Sequence, residues 1–544
     1  MTSDPTGRTG SAGRSDSTRR PGSAARADST DRPGSSGRAD SASRAESAGR
    51  AGSAARRQTG DAAAEVPPWR FDPSGGLAAL RGLLARPLAS YYLLVSSAGL
   101  LLVIGLTMVF SATSVQAYAE DGNAFADLTK QALYAFIGLV AFWLCQRLPA
   151  GSFRSLGKPL LVGSLLLLLV LDLLLVYGSL AHLRVARIGP LEAQLLWLYI
   201  GPIGLQPSEL AKFGMVLWGA EVVARKGRAV GWWRELLVPL GPVIGLLFLL
   251  VGYNDVGTML CLLAIVVGLL WAAGVRMRIF ASLGAIGLVG IGLLIAAAWL
   301  GAGSGSVGEE NYRLLRLTAF LRQNDPECRA SDCYQLVMAR DAIDNGGWFG
   351  VGLGKSVLKW DWLPQAHNDF IFAILAEELG VVGCVVVLAL LAVLAYTGLR
   401  IARRVTDPFR RLAAAAATTW LVGQAVINIG GVVGLLPITG LPLPFISDGG
   451  SALVVTLAAI GMLASFARAE PDAARALNAR PPAPWVRLLW APLPPIPGRR
   501  RAAPDAAAPD RDAGSRPGRR DTGARPTDGR ADKVRAGPVR ERRR

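Results

Sequence analysis

Histidine is almost missing from this chain: 544 residues contain two, His182 and His367. A histidine-built metal centre and a Ser-His-Asp triad both lack material here. The chain has no P-loop of the form Gly-x-x-x-x-Gly-Lys-Ser/Thr, so nucleotide hydrolysis and a bound nucleotide are not expected. Cysteine is scarce as well, with five residues. Cys145, Cys261 and Cys384 fall in apolar runs and read as small core residues. Cys328 and Cys333 share one loop; they would form a local disulfide where that loop faces an oxidising compartment and stay free thiols otherwise. A cleavable apolar leader is also missing. Residues 1–66 hold no apolar run, so the first membrane helix is expected to serve as the insertion signal.

What the chain has in excess is apolar residues, 51% of the total, gathered between Tyr91 and Ala467. Three regions follow: a basic head over 1–85, a membrane core over 86–468, and a Pro- and Arg-rich tail over 469–544. Head and tail have almost nothing to bury, so neither offsets the entropy of ordering, and both are expected to be disordered. Much of the formal net charge of +18 sits in these ends. Aromatics are not interleaved with the arginines, as a nucleic-acid groove requires, so nucleic acid is not an expected partner. Arginine beside a membrane is drawn to anionic lipid instead.

A membrane-spanning helix needs about 20 apolar residues. Ten runs approach that length: 91–110, 133–148, 160–177, 207–223, 236–251, 257–273, 279–300, 370–396, 412–436 and 450–466. The fold class is therefore an all-α polytopic membrane protein. A large loop, 301–368, separates the seventh and eighth runs. Basic residues crowd alternate short loops, among them Arg154, Lys158, Arg225, Lys226, Arg276, Arg403 and Arg404. By the positive-inside rule those loops and both termini are cytoplasmic, and 301–368 lies outside.

Ionisable residues in or beside the spans carry whatever chemistry the core performs. Asp369 stands where the large loop enters the eighth run. An accessible carboxylate there could act as a general base or simply cap the helix. Glu377 and Glu378 lie deeper in the same run. Glu209 and Lys212 are three apart on one helical face and read as a structural pair; Asp255 is a further partner for a buried cation. Gly346, Gly347, Gly350, Gly352 and Gly354 mimic a phosphate loop only superficially, because no strand precedes them. They read as flexible backbone near a membrane-surface substrate. Pro437, Pro442 and Pro444 break any helix over 434–450, which predicts a re-entrant, cavity-lining loop.

These stretches, in order, resemble the SEDS family (shape, elongation, division and sporulation) and its FtsW type. The motifs are RPLASYYLL at 86–94, VFSATS at 109–114, and GLQPSELAK at 204–212, which includes Gln206 and Pro207. They continue with YQ at 334–335, the glycine pattern of 346–360, LPQAHNDFIFAILAEELG at 363–380 and LLPITGLPLPFISDGGS at 435–451. Gln365 stands where the family usually has Glu, and Asp448 where it usually has Tyr. The resemblance implies a peptidoglycan glycosyltransferase acting at the bacterial cytoplasmic membrane during cell division. Its substrate would be lipid II, an undecaprenyl-pyrophosphate disaccharide pentapeptide. Its partners would be a class B penicillin-binding transpeptidase and other division proteins.

The family's essential carboxylate falls on Asp369, which would deprotonate the acceptor hydroxyl in an inverting transfer. Cations must then hold the leaving pyrophosphate. Arg313, Arg316, Lys355 and Lys359 are the local candidates, with or without a divalent ion such as Mg2+ or Mn2+. His367, Ser447, Gly449, Gly450 and Ser451 complete the expected substrate-binding set. Two other activities compete. A lipid flippase would depend on Glu209, Lys212 and Glu377 rather than Asp369. A non-catalytic scaffold would depend on none of these charges.

Overall fold

The computed structural model describes residue 82 and residues 84–496, apart from 183–185, 195, 202, 228–232, 253–254, 279, 283–284, 286–332 and 361. The described chain is dominated by helices: α1 Ala89–Asp121, α2 Ala126–Arg147, α3 Ala150–Leu180, α4 Pro207–Lys226, α5 Trp233–Gly252 and α6 Val256–Ala272. A surface helix, α7 Tyr334–Gly346, precedes three further long ones: α8 Ile371–Arg404, α9 Pro408–Val433 and α10 Ser451–Arg468.

Among the described residues six helices are long and apolar enough to span a bilayer: α1, α2, α3, α8, α9 and α10. Two shorter apolar helices lie within α5 and α6. The protein is a multi-pass, helical membrane protein. The expected seventh span, 279–300, lies almost entirely outside the described residues, and so do residues 301–332 of the 301–368 loop.

α4 is the informative exception. It is less apolar than its neighbours, yet 13 of its residues are buried. It runs along α3 and also packs on α9, α6 and α5. A helix lined by protein rather than lipid can carry polar side chains if each finds a partner. Close approach is secured by small residues. A side chain on Gly214 would strike the backbone of Leu161 on α3, and one on Gly268 of α6 would strike Thr419 of α9. The Ala413–Ala417 run of α9 is wholly buried for the same reason.

Between α3 and α4 the chain makes a small antiparallel meander: β1 Ala186–Ile188, β2 Leu191–Gln194, β3 Trp197–Ile200 and β4 Ile203–Leu205. Ala193 and Leu198 close it against Leu171 and Leu174 of α3. Four strands of three or four residues are too short to declare themselves by alternation in the sequence.

The glycine segment 346–354 is not flexible backbone. It is spliced onto a break in α8 at Gly380, whose φ is +66° and ψ −165°. Val351 and Gly352 donate to the carbonyls of Glu377 and Glu378 at 2.9 and 3.1 Å, and Val381 and Val382 donate to those of Gly347 and Trp348 at 2.9 and 3.2 Å. Any side chain on Gly350 or Gly380 would collide with the opposing backbone. Both positions also have positive φ, which glycine adopts at little cost.

Side chains lock the splice. Lys359 Nζ sits 3.1 Å from Glu378 Oε1, with both side chains buried, and donates to the carbonyl of Ser111 on α1 at 2.9 Å. Ser111 Oγ donates to Glu378 as well. Glu377 accepts from Ser356 Oγ and from the amide of Val357. Lys359, expected among the pyrophosphate-holding cations, is instead a buried structural partner of Glu378.

The tail departs from expectation at its start. Residues 469–496 are folded, with α11 Pro471–Ala479 and α12 Pro484–Leu489 lying against the ends of the core helices. Cys333 is disulfide-bonded while Cys145, Cys261 and Cys384 are free; Cys328, its expected partner, lies outside the described residues.

Lys359→Met should cost about 3–5 kcal/mol by stranding the Glu378 carboxylate in the core. Pairing it with Glu378→Gln should return most of that. Thermal unfolding of the detergent-solubilised protein reads both.

Candidate functional site

Four segments distant in sequence meet at one end of the bundle. The backbone of Gly204–Gln206 enters α4, residues 434–450 enter α10, residues 363–370 enter α8, and α2 presents Gln131 and Tyr134. Gln206 donates its amide to Ser451 Oγ at 3.0 Å. Tyr134 Oη lies 3.3 Å from the amide of Gly204, and the Tyr134 ring would block a side chain on Gly450. Gln131 Nε2 donates to the Ser447 carbonyl at 3.3 Å.

The 434–450 loop grips the segment that bears Asp369. Ser447 Oγ donates to the Asn368 carbonyl at 2.7 Å and accepts the Leu443 amide at 2.7 Å. The Asp448 amide donates to the His367 carbonyl at 3.1 Å. From α9, Asn428 Nδ2 donates to the carbonyls of both Asp369 and Leu441, each at 2.8 Å. One amide therefore ties the catalytic candidate to the proline loop. The helix cap of α8 is Phe370, with no side-chain cap bond; Asp369 precedes it. Gln365 is held at φ +58°, and its carbonyl's bonds from the Asn368 and Phe370 amides, at 3.1 and 3.3 Å, help offset the left-handed backbone.

Asp369 lines a narrow cleft with Asn428, Gly431, Ile438, Thr439 and Gly440. Its volume of about 10 Å3 is room for about one water molecule. Gly440, at φ +73°, leaves its Cβ position 3.7 Å from Asp369 Oδ2. Asn428 is buried, and its Oδ1 finds no hydrogen-bond partner among the described residues. Sequence reasoning missed Asn428; its signal was a polar side chain in an apolar run one turn before Gly431.

The other expected residues divide. His367, Ser447, Gly449, Gly450 and Ser451 stand in this convergence. Lys355 is exposed on the glycine segment, while Arg313 and Arg316 lie outside the described residues. Glu209 and Lys212 pair at 2.7 Å with no exposure at all. Lys212 also donates to Gln424 Oε1 at 3.1 Å and sits 5.6 Å over the Trp420 ring. Asp255 caps α6, accepting from the Thr258 amide at 2.8 Å and its hydroxyl at 2.5 Å. Its charge also acts on the buried Lys212 cation, as expected, from beyond ion-pair distance.

Asp448 is nearly buried. Desolvation pushes its carboxyl above the ordinary 3.8, while His367 and Lys130 pull it down and Asp127 pushes it up.

The cell cycle protein family model that unites FtsW, RodA and SpoVE matches residues 91–471. A probable peptidoglycan glycosyltransferase FtsW of Mycobacterium tuberculosis is 41% identical over 414 residues, 76% of this chain and 74% of that one. Stage V sporulation protein E of Bacillus subtilis is 35% identical over 371 residues, 68% of this chain and 94% of that one. A solved chain from a peptidoglycan synthase complex coordinating polymerization and crosslinking aligns with a TM-score of 0.51 at 27% identity. That alignment covers 69% of this chain and 97% of that one.

Two outcomes are expected in solution. Asn428→Ala removes the shared donor of two buried carbonyls and should cost about 1–3 kcal/mol. Asp448 is protonated more readily folded than unfolded, so its contribution is full below pH 3.8 and is lost as pH rises through the higher folded value. Asp448→Asn should raise the melting temperature at neutral pH and leave it unchanged in acid; a melting series across pH checks the sign.

Proposed function

Because the chain belongs to the FtsW, RodA and SpoVE family of cell cycle proteins, we propose that it is a peptidoglycan glycosyltransferase that polymerises lipid II, with Asp369 as general base. The observation that carries the reading is the clamped carboxylate. Asp369 sits at the mouth of α8, its backbone fixed by Asn428 and its neighbour's by Ser447, and it lines a cleft with the proline loop. Ser447 comes from a motif that carries the family resemblance, and Asn428 reaches in from α9.

In the reaction, Asp369 takes the proton from the 4-hydroxyl of the acceptor sugar. The freed oxygen attacks the anomeric carbon of the donor with inversion, and the undecaprenyl pyrophosphate leaves. Positive charge must meet the developing phosphate charge. With Lys359 committed to Glu378, exposed Lys355 is the described cation left for that task, beside Arg313 and Arg316. A divalent cation would find Asp369 and Asn428 Oδ1 at the cleft. One carboxylate and one amide oxygen suit Mg2+ when water and phosphate supply the remaining ligands. Among the described residues no three His, Cys, Asp or Glu side chains converge into a site of their own.

The basic short loops support cytoplasmic termini and an outward-facing site. The class B penicillin-binding partner and a septal location follow from the family. A flippase reading is disfavoured by the Glu209–Lys212 pair, whose side chains are both fully buried.

With a class B partner whose transpeptidase is blocked, labelled lipid II and divalent cation, the wild-type chain should build glycan strands visible on a gel. Asp369→Asn should build none while melting like wild type. Strands at the normal rate from Asp369→Asn would remove the general base from the proposal. Transbilayer movement of lipid II without strands would favour transport.

A further inference from the structure

Residues 484–490 turn their apolar side chains outward and their polar backbone inward. Trp485, Leu488 and Leu489 are 66, 71 and 62% exposed. Yet the carbonyls at the end of α12, which its own helix leaves unbonded, are claimed by the core. Arg147 of α2 donates to the Leu488 and Leu489 carbonyls, and Trp143 Nε1 donates to that of Leu489 at 2.6 Å. Arg468 of α10 donates to the Pro492 carbonyl at 2.9 Å. Trp490 Nε1 donates to Tyr91 Oη at 2.6 Å, and Tyr91 donates on to Gln146. The segment is thus strapped across the ends of α1, α2 and α10.

Water is a poor neighbour for such a face: two tryptophans and two leucines within six residues would sit in it unpaired. The spans it crosses expose apolar side chains too, among them Tyr92, Leu139 and Leu144. Tryptophan favours the boundary between headgroups and acyl chains. Arg487 lies within the strap, and Arg499, Arg500 and Arg501 follow shortly in the sequence. Anionic headgroups supply the complementary charge.

We propose that residues 484–496 form an interfacial anchor that seats in the leaflet at the tail's end of the bundle and prefers anionic lipid. Trp485, Leu488 and Leu489 enter the acyl boundary, and Arg487 binds headgroups. This rests on the membrane topology proposed above only in assigning that leaflet to the cytoplasmic side.

The test uses the full chain carrying Leu488→Cys with an environment-sensitive fluorophore, corrected for labelling of the unsubstituted chain. It is reconstituted in vesicles of phosphatidylcholine, or of phosphatidylcholine and phosphatidylglycerol in equal parts. Spin-labelled lipid should quench the fluorophore several-fold more than aqueous iodide does. Quenching by lipid should deepen in the anionic vesicles and fall back in high salt. Iodide quenching that exceeds lipid quenching would overturn the anchor. Protection from both quenchers would hand the face to a protein and overturn it too. Equal lipid quenching in the two vesicles would overturn the anionic preference. A second label at Thr406→Cys, in the basic turn between α8 and α9, separates topology from anchoring. Labels at 406 and 488 reached by iodide from the same side keep the anchor whichever way the bundle faces; opposite sides would overturn it.

Discussion

A carboxylate below the membrane surface has to be answered by the protein, because lipid cannot solvate it. Glu377 and Glu378 stand side by side in α8, and the fold is arranged around answering them. The answer arrives from a loop. Lys359, Ser356 and two backbone amides close on the pair from 351–359, and Ser111 closes on it from α1. Because these partners precede α8 in the chain, the loop must double back onto the helix it leads into. That return fixes where α8 begins, and so where Asp369 stands.

The same logic governs the other buried charges. Lys212 is neutralised by Glu209 one turn away and stabilised by Gln424 and the Trp420 ring. Gln424 passes the connection on, donating to the Pro442 carbonyl at 2.8 Å. The proline loop, barred from helical pairing, has its carbonyls claimed by amides of α9: Gln424 at Pro442 and Asn428 at Leu441. Two side chains one turn apart thus hold the floor of the cleft. A polar ladder on one face of α9 joins the central ion pair of α4 to the carboxylate at the bundle's end.

Much of this was legible beforehand. Length and hydrophobicity mark the long spans, and the Glu209–Lys212 spacing marks their pair. The prolines mark the non-helical loop, and Asp369 stands out by position. The remainder was hidden for physical reasons. Lys359 looks like an interfacial cation because the sequence does not show that a loop folds back on Glu378. The glycines of 346–354 look permissive, when in fact two backbones approach too closely for side chains. Asp255 reads as a partner for a buried cation, and its charge does act on Lys212, but its role as the cap of α6 shows only once the helix start is visible. Asn428 carries no motif of its own, since its importance lies in reaching two carbonyls from different segments. The ordered start of the tail was masked by proline-rich composition; its order comes from two arginines and a tryptophan of the core bonding its carbonyls.

The splice at Gly380 also dictates an order of events in biogenesis. The glycine segment emerges from the ribosome before α8, and neither can complete its hydrogen bonding alone. While α8 enters the bilayer, the backbone groups around its break remain unmet until the loop ahead of it returns to them. Maturation of this membrane protein therefore includes a closing step in which a segment made earlier completes the helix that followed it.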